Sequence, residues 1–382
     1  MEGEMDREKK RKSSGGKKKS NGDTSFRPGL FRYLAACREC GVPLVISRAH
    51  EWQEDGRILT RNGSQRLVVV EVKLLNEILK EIAGRFGAEY HSKLVQAKAF
   101  DSYHYVRALM SGRMKFMTGY PLAKRPVYRL LCEHAKAMGL ADAGLRGYRR
   151  GRELVIRCSN CYNPHLFKGD IVGGVCALED RKAEVELRET SSGIEFHVFI
   201  SEGDVEESIG DYNFAWEVPL PGYVSYRRCK SCGVPFPVTF LSWDVKRGVA
   251  KDTRNGEPVT LLDVAGINVV YEEMRRREGE WVDDFIARRT KEVVDKFIPR
   301  FVWKHRRVEE RIRDLFFLAY RGMGNPVFTQ PCEGGIRTRV ENPFNYPIVA
   351  GITASFLARG KPVTFRWEKT MPGRLELTLT FL

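Results

Sequence analysis

Apolar residues recur at three- and four-residue spacing through Val72, Leu75, Ile78, Leu79, Ile82 and Phe86. That period predicts an amphipathic helix with one face on a core. The same period returns at Ile267, Val270, Tyr271 and Met274. Two more helical stretches follow each of these: roughly 88–109 and 122–138, then roughly 281–297 and 306–320. After a glycine-containing turn, "MGLADAG" or "RGMGNP", the period falls to two, and "GRELVIRC" and "GGIRTRVE" read as strands. The small-residue segments "IVGGVCA" and "IVAGITASFLA" read as a helix packed closely on a sheet, and two hairpin strands close each series. Ahead of each series a CxxCGVP turn leads into short β-type pieces around an "EDG" or "KRG" turn. Helices first, then a sheet with one inserted helix, is an α+β order.

The two series echo each other in sequence. "CRECGVPLVIS" at Cys37 returns as "CKSCGVPFPVT" at Cys229, Trp52 and Gly56 match Trp243 and Gly248, and "RNG" at Arg61 matches "RNG" at Arg254. Towards the ends, "RCSNCYNP" resembles "RVENPFNYP", and "VELRETSSGIEFHVF" resembles "VTFRWEKTMPGRLELTLTF". Two copies are too few for a solenoid. The expected architecture is therefore a basic tail (1–28) and two tandem α+β repeats (29–205 and 206–382), packed about a pseudo-twofold axis. Each repeat begins with a CxxCG element.

Composition narrows the function classes. The chain has 382 residues, 42% of them apolar, which is enough for real cores. Its longest weakly polar run, Ile348 to Ala358, is too short to cross a membrane. No apolar leader follows the charged start, so a cytoplasmic location is expected. The net charge of +15 is partly local: residues 7–19 hold eight Lys/Arg against one Glu, among Ser and Gly. Such a segment suits nucleic acid, anionic lipid or an acidic partner, and equally a solubilising tail.

Six of the nine cysteines form CxxC pairs: Cys37/Cys40, Cys158/Cys161 and Cys229/Cys232. Cys132, Cys176 and Cys332 read as small buried hydrophobes. Structural zinc takes four N/S ligands, often as two CxxC turns, with a glycine that lets the backbone fold back towards the thiolates. The symmetric choice joins Cys37 and Cys40 to Cys229 and Cys232. The alternative joins Cys37 and Cys40 to Cys158 and Cys161, but the second series has Val340 and Pro343 in the latter places. An iron–sulfur cluster would draw on the same thiolates. Redox use of CxxC favours a pair that opens a helix. Here Gly-Val-Pro and a β-type segment follow, which argues against it. His104, His134 and His165 read as local hydrogen-bonding residues. No GxSxG, HExxH, Walker or GxGxxG motif occurs, and no catalytic residues are assigned. Trp52 and Trp243 suggest a shared packing role.

The "GMGN" and "GLADAG" turns, the strands ending near Asn160 and Asn342, the small-residue helices and the closing hairpins resemble the 4-vinyl reductase domain family. Transport-particle subunits and haem–nitric-oxide-binding domains share that family's fold. The resemblance covers roughly 110–120 residues of each series. It implies a ligand-binding or regulatory domain that holds an apolar small molecule between helices and sheet, and a protein partner or homodimer. The name of the family also implies a reductase as a further alternative. Some members carry zinc on cysteines of the last hairpin, and this chain has none there. The expectation is thus a non-enzymatic, zinc-stabilised small-molecule sensor, carrier or adaptor. A nucleic-acid-associated zinc protein using residues 7–19 is the alternative.

Overall fold

The structure, a computed structural model, describes residues 35–110, 123–191, 193–212, 215–296 and 307–382. The basic tail 1–28 lies outside the described residues. The first half runs α1 (Leu44–Ala49), β1 (His50–Trp52), β2 (Ile58–Thr60), β3 (Arg66–Glu71), α2 (Val72–Phe86), α3 (Ala88–Leu109) and α4 (Lys124–Met138). It continues through β4 (Asp142–Arg149), β5 (Glu153–Ser159), α5 (Pro164–Glu179), β6 (Lys182–Thr190) and β7 (Gly193–Ser201). A short helix, α6 (Glu206–Ile209), leads to the second half. That half holds a 3₁₀ turn (Phe236–Phe240), β8 (Leu241–Asp244), β9 (Val249–Asp252), β10 (Pro258–Asp263), α7 (Ala265–Glu278) and α8 (Trp281–Asp295). After a second 3₁₀ turn (Glu309–Arg311) come α9 (Ile312–Leu315), α10 (Phe317–Tyr320), β11 (Asn325–Cys332), β12 (Gly335–Glu341), α11 (Tyr346–Ala358), β13 (Val363–Met371) and β14 (Arg374–Phe381).

All three sheets are antiparallel, and the fold is α+β. Two four-stranded sheets have matching orders, β4-β5-β7-β6 and β11-β12-β14-β13. The third has six strands, β1-β2-β3-β10-β9-β8, and draws on both halves. Its centre is the β3–β10 pair, in register from Val259 opposite Glu71 to Asp263 opposite Leu67. Every residue of β3 is buried, as befits a strand covered on both faces. The halves therefore share one sheet as well as touching through side chains.

The periodic helices form as the spacing predicts, and four details differ. Pro43 is followed directly by α1, where a β-type piece was expected. Val45 and Ile46 are buried there, and tertiary packing overrides the β-propensity of "LVIS". The 306–320 stretch is broken into short turns. Leu315 and Phe317 to Tyr320 are all buried, so the last turns of the stretch have no polar face to give one straight amphipathic helix. The strands β4 and β11 were not anticipated. Prolines 326 and 331 hide β11, which tolerates them as an edge strand with a bulge between Pro326 and Phe328. Finally, the small-residue helices make their tightest contact with other helices, not with a sheet.

That last contact is quantifiable. A Cβ on Gly173 would lie 2.1 Å from the Ala99 carbonyl oxygen of α3, and one on Gly351 would lie 2.3 Å from that of Ala287 on α8. Ordinarily Gly→Ala inside a helix stabilises by about 1 kcal/mol. At position 173 the opposite is expected: Gly173→Ala lowers stability by roughly 1–3 kcal/mol, because backbone cannot yield as a side chain can. Gly174→Ala is the control, since its Cβ meets only Val106 and Leu131 side chains at 3.9 and 4.0 Å. Urea midpoints of the two variants check this, and a Gly173→Ala as stable as Gly174→Ala contradicts it.

Candidate metal centre and ligand cavity

The two CxxCG turns are built alike. Cys37 N–H donates to Val42 O at 2.8 Å and Gly41 N–H to Cys37 O at 2.9 Å; Cys229 and Gly233 make the matching bonds to Val234 and Cys229, each at 2.9 Å. Isolated bridges, Ala36 with Pro43 and Arg228 with Pro235, pinch each loop shut. Gly41 and Gly233 have φ of +76° and +77°. No atom lies within 4 Å of a Cβ at either, so backbone conformation and not space calls for glycine.

The turns face each other. Cys37 Sγ is 3.8 Å from Cys229 Sγ, and Cys40 Sγ is 3.4 Å from Cys232 Sγ. All four sulfurs lie within 4.8 Å of one another. Four thiolates about 2.3 Å from a single tetrahedral ion would be about 3.8 Å apart, so the cluster is sized for one metal such as zinc. All nine cysteines are free of disulfides. Cys158 and Cys161 are outside this group. Cys132 and Cys176 are buried, as expected of small hydrophobes, while Cys332 is only half-buried.

The surroundings hold the turns together and prepare one thiol. Glu39 accepts hydrogen bonds from the Lys230 and Ser231 amides at 3.3 and 3.0 Å and from Ser231 Oγ at 2.7 Å. Arg228 donates to Trp52 O at 2.9 Å. Burial opposes ionisation of Cys37, but the Cys40 and Glu39 amides and the neighbouring thiols outweigh it and bring its pKa down to about 7. Burial raises the Cys40 and Cys232 thiols instead. The helix α1 starts only after Pro43, so neither cysteine of that pair sits at a helix N-terminus.

A second feature lies between α3, α4, α5 and strand β10. It is a cavity of about 100 Å³ whose described walls are mostly apolar, with Val106, Leu131, Ile156, Phe167, Ile171 and Val175 among them. Leu261, Leu262 and Asp263 come from the second half and complete it. One polar side holds Lys98, Ser102 and Asp170. Lys98 Nζ is 3.4 Å from Asp170 and 3.6 Å from Asp101, and Ser102 and Tyr162 donate to Asp170 at 2.6 and 2.8 Å. Burial disfavours the Lys98 charge, yet Asp170, Asp101 and Asp263 prevail and raise its pKa. Burial lifts Asp101 and lifts Asp263 well above the usual carboxylate range, with each carboxyl beside the other.

Another side holds Tyr105 and His134. His50 Nδ1 is 3.0 Å from Ile46 O, His50 Nε2 is 2.9 Å from Tyr105 Oη, and Tyr105 Oη is 2.7 Å from His134 Nε2. His134 Nδ1 is buried without a hydrogen-bond partner. Of these groups only His134 was singled out in the sequence, as a local hydrogen-bonding residue; its partner Tyr105 lies on another helix, 29 residues away. Trp52 is buried and donates to Tyr320 O at 2.8 Å, so it packs across the two halves. His104 is exposed and meets Phe100 and Tyr103 edge-on, and His165 stacks edge-on with His91.

Fold and site thus define an α+β protein with four clustered thiols and an apolar cavity roofed by a strand from its other half. No family profile matches the chain, and no curated protein does. Among solved structures, the phenol-responsive sensory domain of the transcription activator PoxR, determined with phenol, is similar over 44% of this chain and 95% of its own length. The identity is 13% and the TM-score 0.34, too slight a likeness to assign fold or function. Among the described residues no helix is long and apolar enough to cross a membrane.

Proposed function

We propose that this chain is a small-molecule-binding protein, a sensor or carrier without catalytic function, built from two related α+β halves and stapled by one zinc ion on Cys37, Cys40, Cys229 and Cys232. The observation that carries the binding reading is the apolar cavity among α3, α4, α5 and β10. Native interiors are packed to crystal-like density, so a void of this size flanked by buried polar groups calls for an occupant. An apolar cavity of about 150 Å³ is known to admit benzene, and this one is of the same order. The resemblance to 4-vinyl reductase domains belongs to this reading, because it places an apolar ligand between helices and sheet.

The roofing by β10 supports a sensor over a mere store. A ligand there touches both halves, and the same two halves carry the paired cysteine turns. Occupancy would therefore stiffen the joint between them. A thermal-shift screen with single-ring apolar compounds tests the binding reading. A compound at a hundred times its Kd adds about 2.7 kcal/mol, which is on the order of 5 °C in a chain of this length. A screen of such compounds that leaves the melting temperature unmoved would count against it.

A further inference from the structure

The tautomer of His134 follows from the chain of hydrogen bonds that ends on it. Ile46 offers a carbonyl oxygen to His50 Nδ1. A carbonyl only accepts, so that nitrogen carries the hydrogen. Burial pushes the His50 pKa down to about 4, and the neutral ring therefore has a bare lone pair at Nε2. The Tyr105 hydroxyl, 2.9 Å away, donates its one proton there, because this nitrogen is a nearer and stronger acceptor than Met138 Sδ at 3.6 Å. Its oxygen is then the acceptor for His134, so the hydrogen of that ring sits on Nε2. Burial, helped by His50, pushes the His134 pKa down to about 3. Its Nδ1 is left as an acceptor.

That acceptor has no partner and belongs to a residue that is 4% exposed and lines the cavity. Elsewhere on the wall Lys98 and Ser102 engage Asp170 and Asp263 Oδ1 accepts from the Ala265 amide at 3.2 Å, while Asp263 Oδ2, beside the Asp101 carboxyl, is like His134 Nδ1 buried without a partner. A buried acceptor left unpaired is costly, and a ligand that supplies a donor recovers that cost. A ligand without one does not.

We propose that the cavity selects a small apolar molecule, about one ring in size, that carries an O–H or N–H group, and that this group donates to His134 Nδ1. The proposal rests on the reading of the cavity as a binding site. His134 is its specificity determinant, and Tyr105 and His50 are positioning residues that fix the tautomer.

Calorimetry of the full chain with aniline and with toluene tests it, because the two differ by NH₂ against CH₃ at nearly equal shape. Aniline is expected to bind roughly tenfold tighter, the worth of one buried hydrogen bond, and His134→Phe is expected to erase the difference. Equal affinities in the wild type would overturn the donor assignment and leave the cavity reading standing. Binding of neither compound would remove both. Nitrogen-15 NMR of the wild-type imidazoles gives a readout independent of any variant's folding. His134 Nδ1 should resonate as an unprotonated ring nitrogen and shift with aniline but not with toluene. A protonated Nδ1 would overturn the proposal.

Discussion

Removal of metal by a strong chelator is expected to lower the stability of the whole chain by several kcal/mol while leaving most of its secondary structure at low temperature. The reasoning starts from the sulfur positions. Cys37 and Cys229 are 192 residues apart in sequence and 3.8 Å apart in space. A cross-link closing a loop of that length removes on the order of 5 kcal/mol of chain entropy from the unfolded state. Structural zinc in isolated fingers contributes even more, about 10–16 kcal/mol, because nothing else holds them folded. Here a shared sheet and a buried core hold the chain together alongside the ion, so the smaller figure applies. Native mass spectrometry should find one zinc per chain. Cys37→Ser and Cys229→Ser should be about equally damaging, since the two turns are built alike, whereas Cys158→Ser and Cys161→Ser should leave metal content unchanged. Equal loss from the 158/161 pair would restore the alternative ligand set. Visible absorbance with iron in the elemental analysis would replace zinc by an iron centre. A metal-free protein indifferent to chelator would end the metal reading.

The four thiols could be found from sequence because their chemistry is local: two cysteines, a glycine at positive φ and a proline fit within seven residues. The echo at Cys229 then supplied the partner without any coordinates. The cavity was harder. Leu94, Lys98, Asp101 and Tyr105 fall at helical spacing, and all four are buried on α3. The signal was therefore present, as charged residues sitting in an apolar stripe, but a stripe with charges reads as a solvated face until its partners are known. Those partners, Asp170 and Asp263, lie on α5 and on β10 of the other half, beyond any local pattern. His50 and His134 are far apart in sequence and are brought together across Tyr105. The glycines of α5 tell the same story: "IVGGVCA" announced close packing, but its contact on α3 appears only in three dimensions. The sharing of a central sheet was not anticipated either. Strand pairing between β3 and β10 depends on register between distant segments, and alternation is absent because β3 is buried on both faces.

Arg321→Met is expected to destabilise the protein by roughly 3–5 kcal/mol, the usual cost of removing one partner from a buried ion network. Arg321 is 1% exposed and reaches Glu71 at the end of β3 and Asp252 at the end of β9, each at 2.5 Å. It thus ties the central sheet of both halves to the turn before β11, where Gly322 has φ of +76°. The turn before β4 has a similar form, with Met138 ahead of Gly139 at φ +74°. Methionine therefore fits that kind of site, and the cost at 321 should come from the stranded carboxylates and not from shape. Asp252 keeps Arg254 at 2.5 Å, so Glu71 bears most of the loss. Combining Arg321→Met with Glu71→Gln should accordingly recover 1 kcal/mol or more relative to additivity. Strict additivity would contradict the account. Acid titration supplies the second check. Burial raises the Asp252 pKa, but Arg254 and Arg321 outweigh it and hold it below the usual carboxylate value. A depressed folded-state pKa stabilises above the unfolded value of about 4 and loses that contribution as pH falls through the folded one. Without Arg321 the two values converge, and stability between about pH 4 and the acid transition should fall less steeply than in the wild type. An unchanged slope would mean that Asp252 owes its low pKa to Arg254 alone.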